Sequence, residues 1–400
     1  MQKLLAILWW FVLPLAFWGG VASLACGQDS LEGGSWSGKI TATADAPGSS
    51  LTDFFYVVQI DSSQTQFWAA VQNDGDDVRA SVDGTQVPCW VDPATFNYAG
   101  QSCIVYVMRS GAASSAPVIC IYFGNAGASL PAAGATYGQY NTFPSSLKAF
   151  YPCGGGNDVT SNANNLTMTG SPTVGGVAGP VSGSLATDYN GTSQYGTATA
   201  SIAAAQPIAI LGSFNFDVIT GTRSLVSTKT TGSFTTYAAL DMSGGSGATS
   251  VRVIGTGGGT ISQSIGIAVT TATWFNLGGT WASATSMTGY RNGVAGTTNT
   301  TSRLMTNAQR LIVANNDNGE RFDGKISLVA YYTAAVSADW HAYWHNMLAD
   351  PDQSDFYNGW TYASISSTIV PLLQRMQLMS LVRPTQWDRF VSLTPIMLEK

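Results

Sequence analysis

The chain has 400 residues, a net charge of −6 and an isoelectric point near 4.8. That length predicts two domains rather than one. Charged residues make up only 10%, and no basic run or Arg/Lys stripe exists, so nucleic acid is excluded as a partner class. An aromatic content of 11% and an apolar content of 45% exclude a disordered chain.

Chain order begins with a targeting signal over residues 1–25. Lys3 supplies its positive end, Leu4 to Trp18 its apolar run, and Ser23-Leu24-Ala25 a signal-peptidase site. Export implies an oxidising compartment, so the mature protein is expected to be secreted or on the cell surface. Of the remaining cysteines, Cys89 and Cys103 lie in neighbouring extended segments. They are candidates for a bridge across a hairpin; four buried thiols are the alternative.

Residues 29–50 read as a polar lead-in. The segments FFYVVQI (Phe54–Ile60), VRASV, VPCWV, CIVYVM and PVICIYF are short, rich in Val, Ile and aromatics, and bounded by turn residues. They predict an antiparallel β domain over 29–128. A Pro- and small-residue-rich linker, 129–146, precedes a second set of short strands over 147–350. There Arg291-Asn292-Gly293 marks a two-residue hairpin. The expected fold is all-β: two antiparallel β-sandwiches plus a short C-terminal helical tail within 351–400, where Leu372, Met376 and Met379 stand at helical spacing. Arg375 interrupts that segment and it is too short to span a membrane.

Three resemblances refine this. Cys26 after Ala25 resembles a bacterial lipobox, with Leu24 one place too close to the cysteine, and implies a possible lipid anchor at Cys26. Residues 50–128 resemble a bacterial extracellular β-sandwich family of uncharacterised function. Its marks are a G-x-D-x-R turn (Gly75, Asp77, Arg79) and a terminal Tyr-Phe-Gly-Asn (Tyr122 to Asn125). Residues 147–349 resemble a laminin-G-like, concanavalin A-like jelly roll. AFYPCGGGNDVTSNANNLT matches its opening strand and loop, ATDYNGTSQY its Tyr189/Tyr195 strand, TWFNLGGTW and TGYRNGV its Trp strand and hairpin, and RFDGKISLVAYYTAAVSADWHAYWHN its closing strand and helix. The closing strand departs from that family, which carries acids after the isoleucine where Ser327 and Leu328 follow Ile326. The jelly-roll resemblance implies a possible calcium site on Asp158, with Asn157 beside it, since loop Asp and Asn oxygens suit a hard cation. The missing acids weaken that implication.

Chemistry-bearing residues are scarce. The two histidines, His341 and His345, fall four apart on the closing helix, with Ser337 as its N-cap. A zinc-protease motif needs Glu where Ala342 stands, so they read as two solvated helix histidines. Glycan cleavage needs two carboxylates about 5 Å apart, yet the second domain has a single Glu, Glu320. There is no G-x-S-x-G elbow. No catalytic residues are assigned, and the chain is read as a non-enzyme. Among exposed-aromatic candidates for a sugar platform, Trp281 lies nearest a strand end and is taken as a ligand-binding residue.

The expected function is an exported, non-catalytic binding or adhesion protein that recognises a glycan or a cell-surface protein. A structural part of a cell-envelope assembly, and a glycan-cleaving enzyme with an unrecognised carboxylate pair, are the alternatives.

Overall fold

A computed structural model describes residues 31–365, apart from 33, 49–50, 114, 199–201, 203–204, 230–236, 244–247, 256–258, 303, 305–309 and 317–318. The signal segment, Cys26 and the tail helix around Leu372 therefore lie outside the described residues. The first domain contains β1 (Gly38–Ala44), β2 (Leu51–Ile60), α1 (Thr65–Ala70), β3 (Arg79–Val82), β4 (Thr85–Val87), β5 (Cys89–Val91), β6 (Cys103–Ala113) and β7 (Val118–Phe123). The second contains β8 (Leu147–Tyr151), β9 (Thr167–Thr169), β10 (Val177–Ala178), β11 (Leu185–Asn190), β12 (Tyr195–Ala198), β13 (Ile208–Phe216), β14 (Arg223–Lys229) and β15 (Tyr237–Ser243). It continues through β16 (Ala248–Gly255), β17 (Gly259–Ala268), β18 (Trp274–Ser283), β19 (Ser286–Arg291), β20 (Val294–Ala295), β21 (Arg310–Val313), β22 (Asp323–Tyr332) and α2 (Ala338–Ala349). A last strand, β23 (Tyr357–Ser364), follows.

All strand pairs in the sheets are antiparallel, and the protein is an all-β sandwich protein with a short helix near its C-terminal end. In the second domain one sheet runs β10-β11-β22-β13-β18-β19-β20, with β8 also on β22, and the other runs β17-β16-β15-β14-β21-β12-β9. Between them lies a core that includes Phe214, Phe216, Leu240, Phe275 and Tyr331. The Asn292-Gly293 turn joins β19 to β20 with both residues at positive φ (48° and 76°), as a hairpin turn of this type requires.

In the first domain a sheet β23-β1-β7-β3-β4 faces a smaller sheet β2-β6-β5. Three expectations about segment boundaries are corrected here. The supposed lead-in contains β1. The linker is packed rather than loose: Phe143 is buried, with its ring 5.3 Å from Phe55 and 5.4 Å from Phe150. Residues 357–364 are not part of a tail but an edge strand of the first domain, paired Gly38 with Ser364 through Ala44 with Tyr357. The chain thus leaves the first domain, builds the second, and returns.

The two sandwiches share one hydrophobic cluster. Every residue of β2 from Phe54 to Ile60 is buried, because the β2-β6-β5 sheet is covered on both faces. Onto it pack Phe150, Leu211, Leu328 and Tyr332 of the second domain, together with Trp340, Trp344 and Met347 of α2. This doubly covered position explains why FFYVVQI shows no apolar/polar alternation. Leu328, on the closing strand, belongs to this cluster. It adopts φ 52° at an irregularity in the β13–β22 register, where its side chain joins the interdomain cluster. Beside it, Ser327 donates from its hydroxyl to the Leu185 carbonyl at 2.7 Å.

The G-x-D-x-R turn and the Tyr-Phe-Gly-Asn end form a single latch. The Asp77 carboxylate accepts the backbone N–H groups of Gln72 (3.0 Å), Gly124 (2.6 Å) and Asn125 (3.0 Å). Arg79 donates to the carbonyls of Asp76, Val78 and Ser129 and lies over the Trp36 ring at 5.6 Å. Gly124 holds φ +80°, and a Cβ there would sit 2.0 Å from the Ser37 hydroxyl.

The Cys89–Cys103 bridge does not form. Cys89 stands opposite Val107 and Cys103 opposite Ile60, so the register keeps the two apart, and both are free, as is Cys153. Cys120 is disulfide-bonded. Burial pushes the Cys89 thiol up to about 12 and raises that of Cys103 further still, so neither supplies the thiolate that alkylation needs. Native protein treated with iodoacetamide is expected to leave Cys89 and Cys103 unmodified, and denatured protein to label both. Rapid native labelling, read by peptide mass spectrometry, would contradict the buried register.

Candidate functional site: a cleft between the two sandwiches

The loop after β8 is built to hold one shape. Gly154 takes φ +69°, and a Cβ there would lie 2.0 Å from the Ile326 carbonyl oxygen. The Asp158 carboxylate is the loop's staple. One oxygen accepts the N–H groups of Phe150 (3.0 Å) and Thr160 (2.9 Å), the other the Thr160 hydroxyl (3.0 Å) and the Asn164 N–H (2.8 Å). Burial raises the Asp158 pKa, while these donors pull against it. Asp158 is thereby committed to four protein donors, and a cation would have to displace some of them. Among the described residues no group of three or more His, Cys, Asp or Glu side chains is placed to hold a metal.

Above this loop lies a cleft of about 490 Å³, within the usual size range of small-ligand sites. Its second wall comes from the first domain, at Trp90, Asp92 and Pro93. Its rim comes from Gln139 and Tyr140 of the connecting segment. Gln139 fixes that rim by donating to the Val159 carbonyl at 2.8 Å. Tyr140 and Val174, both 40% exposed, project over the cleft, and Asn157 is exposed beside them.

Asp92 is the unusual group. It is 3% exposed, and one carboxylate oxygen accepts the Ala94 N–H at 2.9 Å. The other oxygen is buried with no protein partner. Burial pushes its carboxyl up to about 6. An unpaired buried carboxylate oxygen is costly, and a hydroxyl donor from a ligand would relieve it. Cys153, nearby, is held as a thiol by burial and by the Asp92 charge, at about 12, which removes it as a nucleophile.

The sequence-predicted residues divide. Asp158 and Asn157 line the cleft. Trp281 does not: it is fully buried in the core between the second domain's sheets, opposite Ile208 and Met287, because β18 extends beyond it to Ser283. Asp92 was missed. The only signal was an acid directly after a strand that reads VPCWV, and that resembles any turn acid. Tyr140 was missed because its neighbours read as linker.

The reading of two solvated histidines is also corrected. Ser337 does cap α2, accepting the Trp340 N–H at 3.1 Å, but the helix turns His341 inward. Its imidazole is 4% exposed and stacks on Tyr290, with ring centroids 3.7 Å apart. Gly278 provides the space, since a Cβ there would fall 2.5 Å from the ring. The Thr280 hydroxyl donates to the Val336 carbonyl at 3.0 Å. It therefore accepts from His341 Nε2 at 3.0 Å, which assigns the proton to Nε2. His345 Nδ1 accepts from the Asn276 amide at 3.1 Å. Both rings are packing elements of the helix–sheet contact.

This architecture defines an all-β protein of two fused sandwiches with a ligand-sized cleft at their junction. No protein-family model matches the chain, and no curated protein matches it. Among solved structures, domain 4 of AbnA, a GH43 extracellular arabinanase from Geobacillus stearothermophilus, in complex with arabinotriose, is similar at 17% identity. The alignment covers 50% of this chain and 98% of that domain, with a TM-score of 0.43. A SAP-like pentraxin from Limulus polyphemus aligns at 11% identity over 43% of this chain and 89% of its own, TM-score 0.33. The Ruminococcus gnavus IT-sialidase CBM40 bound to α2,3 sialyllactose aligns at 16% over 35% and 82%, TM-score 0.30. At these scores none of the likenesses carries a functional argument.

Proposed function

We propose that the protein is a non-catalytic glycan-binding module of the extracytoplasmic space, with a concanavalin A-like second domain, and that the interdomain cleft takes a neutral oligosaccharide. The observation that carries this is the pairing of an exposed aromatic ring, Tyr140, with a buried acceptor lacking a protein donor, Asp92, in one rigid cleft. Sugars need such a combination: an apolar platform for their C–H faces and fixed acceptors for their hydroxyls. No Lys or Arg lines the cleft, which argues against an anionic sugar. Its only carboxylates are Asp92 and Asp158, and Asp158 is consumed by the loop, so the two-carboxylate arrangement of a glycosidase is not supported.

The test is a binding screen of the full chain against neutral oligosaccharides, with calcium and with EDTA. Tyr140→Ala and Asp92→Asn are each expected to weaken binding roughly tenfold, the worth of about 1.4 kcal/mol. EDTA is expected to change nothing. Because the Asp92 carboxyl titrates at about 6, affinity should hold above that pH and fall as the carboxylate is protonated below it. Binding that is lost in EDTA, or is indifferent to both substitutions, would count against this site. Release of reducing ends would convert the reading to an enzyme.

A further inference from the structure

We infer that the first sandwich carries a second, separate sugar-binding cleft, formed only because the chain returns to it. Strand β23 lies at the edge of the β23-β1-β7-β3-β4 sheet. Along it, Tyr357 is buried, Trp360 half-buried and Tyr362 46% exposed. Trp360 leans on Tyr357 at 5.6 Å between ring centroids, and Tyr362 on Phe123 at 6.3 Å, so both rings are braced from beneath. Trp360 sits at a bulge in the β1–β23 pairing, between Asn358 and Thr361, and both it and Tyr362 line one cleft, which makes the two rings neighbouring platforms.

These rings border a cleft of about 420 Å³. Its polar wall comes from the turn before α1, with Asp61 and Gln64, from Gln66 in the first turn of α1, and from the turn after α2, with Asp352 and Ser354. The cleft is also lined by Gln59, 6% exposed, whose side-chain carbonyl oxygen is buried without a protein partner. Its backbone N–H is held by Gln353 at 2.8 Å, and the Gln353 amide is itself anchored on the Val57 and Met347 carbonyls. Aromatic platforms, an unfilled acceptor and surrounding carboxylates match the hydroxyl and C–H faces of a neutral sugar. No cation lines the cleft, so acidic sugars are disfavoured. The inference does not depend on the interdomain cleft: the two clefts share no lining residue.

The experiment is isothermal titration of the full chain with neutral arabino-, xylo-, cello- and malto-oligosaccharides. It compares the native chain, Tyr140→Ala/Asp92→Asn, Trp360→Ala/Tyr362→Ala, and all four substitutions together. Gln64→Ala/Gln66→Ala, both outside the core, is a second variant in case loss of Trp360 disturbs folding; near-ultraviolet circular dichroism checks each. The expected result is residual binding in Tyr140→Ala/Asp92→Asn that falls at least tenfold when Trp360 and Tyr362 are also replaced, and at least threefold when Gln64 and Gln66 are. Residual binding that survives these changes, or none remaining once Tyr140 and Asp92 are replaced, overturns the second cleft. Binding that ignores Tyr140 and Asp92 but needs Trp360 and Tyr362 overturns the interdomain site and supports this one. No binding by the native chain overturns both.

Discussion

Asp77→Ala is expected to lower the unfolding free energy by about 3–5 kcal/mol, an effect large enough to unfold a marginal domain. Asp77 is fully buried and its carboxylate is the shared acceptor for the N–H groups of Gln72, Gly124 and Asn125. Alanine removes the acceptor and leaves three backbone donors without a protein partner. Each buried unsatisfied donor costs about 1–3 kcal/mol. The loss is not confined to one turn. Gly124 and Asn125 directly follow β7, the strand that both β1 and β3 pair with, so the whole larger sheet of the first domain is affected. Asp77→Asn retains an oxygen acceptor and is expected to cost less, about 1–2 kcal/mol. Urea unfolding followed by intrinsic fluorescence measures both. A cost below 1 kcal/mol for the alanine variant would show that the latch is ornamental.

Acidification is expected to unfold the protein, with His341 as a principal contributor. Burial lowers its pKa from 6.5 to about 3. The unfolded chain therefore binds a proton between those values that the folded chain refuses, and stability falls with pH across that window. The contribution is fully present above the unfolded pKa of 6.5. It is eroded by about 3 kcal/mol by pH 4, at 1.36 kcal/mol per unit. The groups meeting the ring are the Thr280 hydroxyl, Tyr290 and Gly278, none of which supplies a compensating negative charge. His345 is shifted in the same direction by burial and adds to the slope. In His341→Gln the titrating group is gone while a donor to Thr280 remains. Its stability between pH 7 and pH 4 is expected to decline by about 3 kcal/mol less than that of the native chain. Parallel profiles would remove His341 from the acid response.

How far the fold was legible depends on where its determinants lie along the chain. Local patterns were readable. Val and Ile runs broken by Gly and Asn placed most strands, Asn292-Gly293 placed a hairpin, and Ser337 placed the start of α2. Relations between distant segments were not. Nothing local in TATADA at residues 41–46 announces a strand, because β1 is stabilised by β7 on one side and β23 on the other. Nor does YNGWTYAS announce that it will cross back to residue 38. The unbroken apolar run of β2 was a usable sign of burial on both faces. That run announces a strand but not the helix α2 that docks upon it. The same gap accounts for the site. Asp92, Tyr140 and Asp158 come from three segments, and only the fold shows that Asp158 is spent while Asp92 is not. His341 reads as one of a surface pair until Gly278, on another strand, opens the space that admits it.

The return of β23 has a mechanical consequence. Gly38 pairs with Ser364, and the Ile365 N–H donates to the Ser37 carbonyl at 2.9 Å, so the start of β1 and the end of β23 lie side by side. Tension applied between those two ends would load the β1–β23 ladder one hydrogen-bonded pair at a time, like a zipper opened from its free end, rather than shearing all pairs together. Tension applied to both ends from the same side would bypass the ladder and the interdomain core altogether. The cleft between the sandwiches would then stay at its resting shape while the protein is dragged, and a ligand held there would feel the pull only through its own contacts.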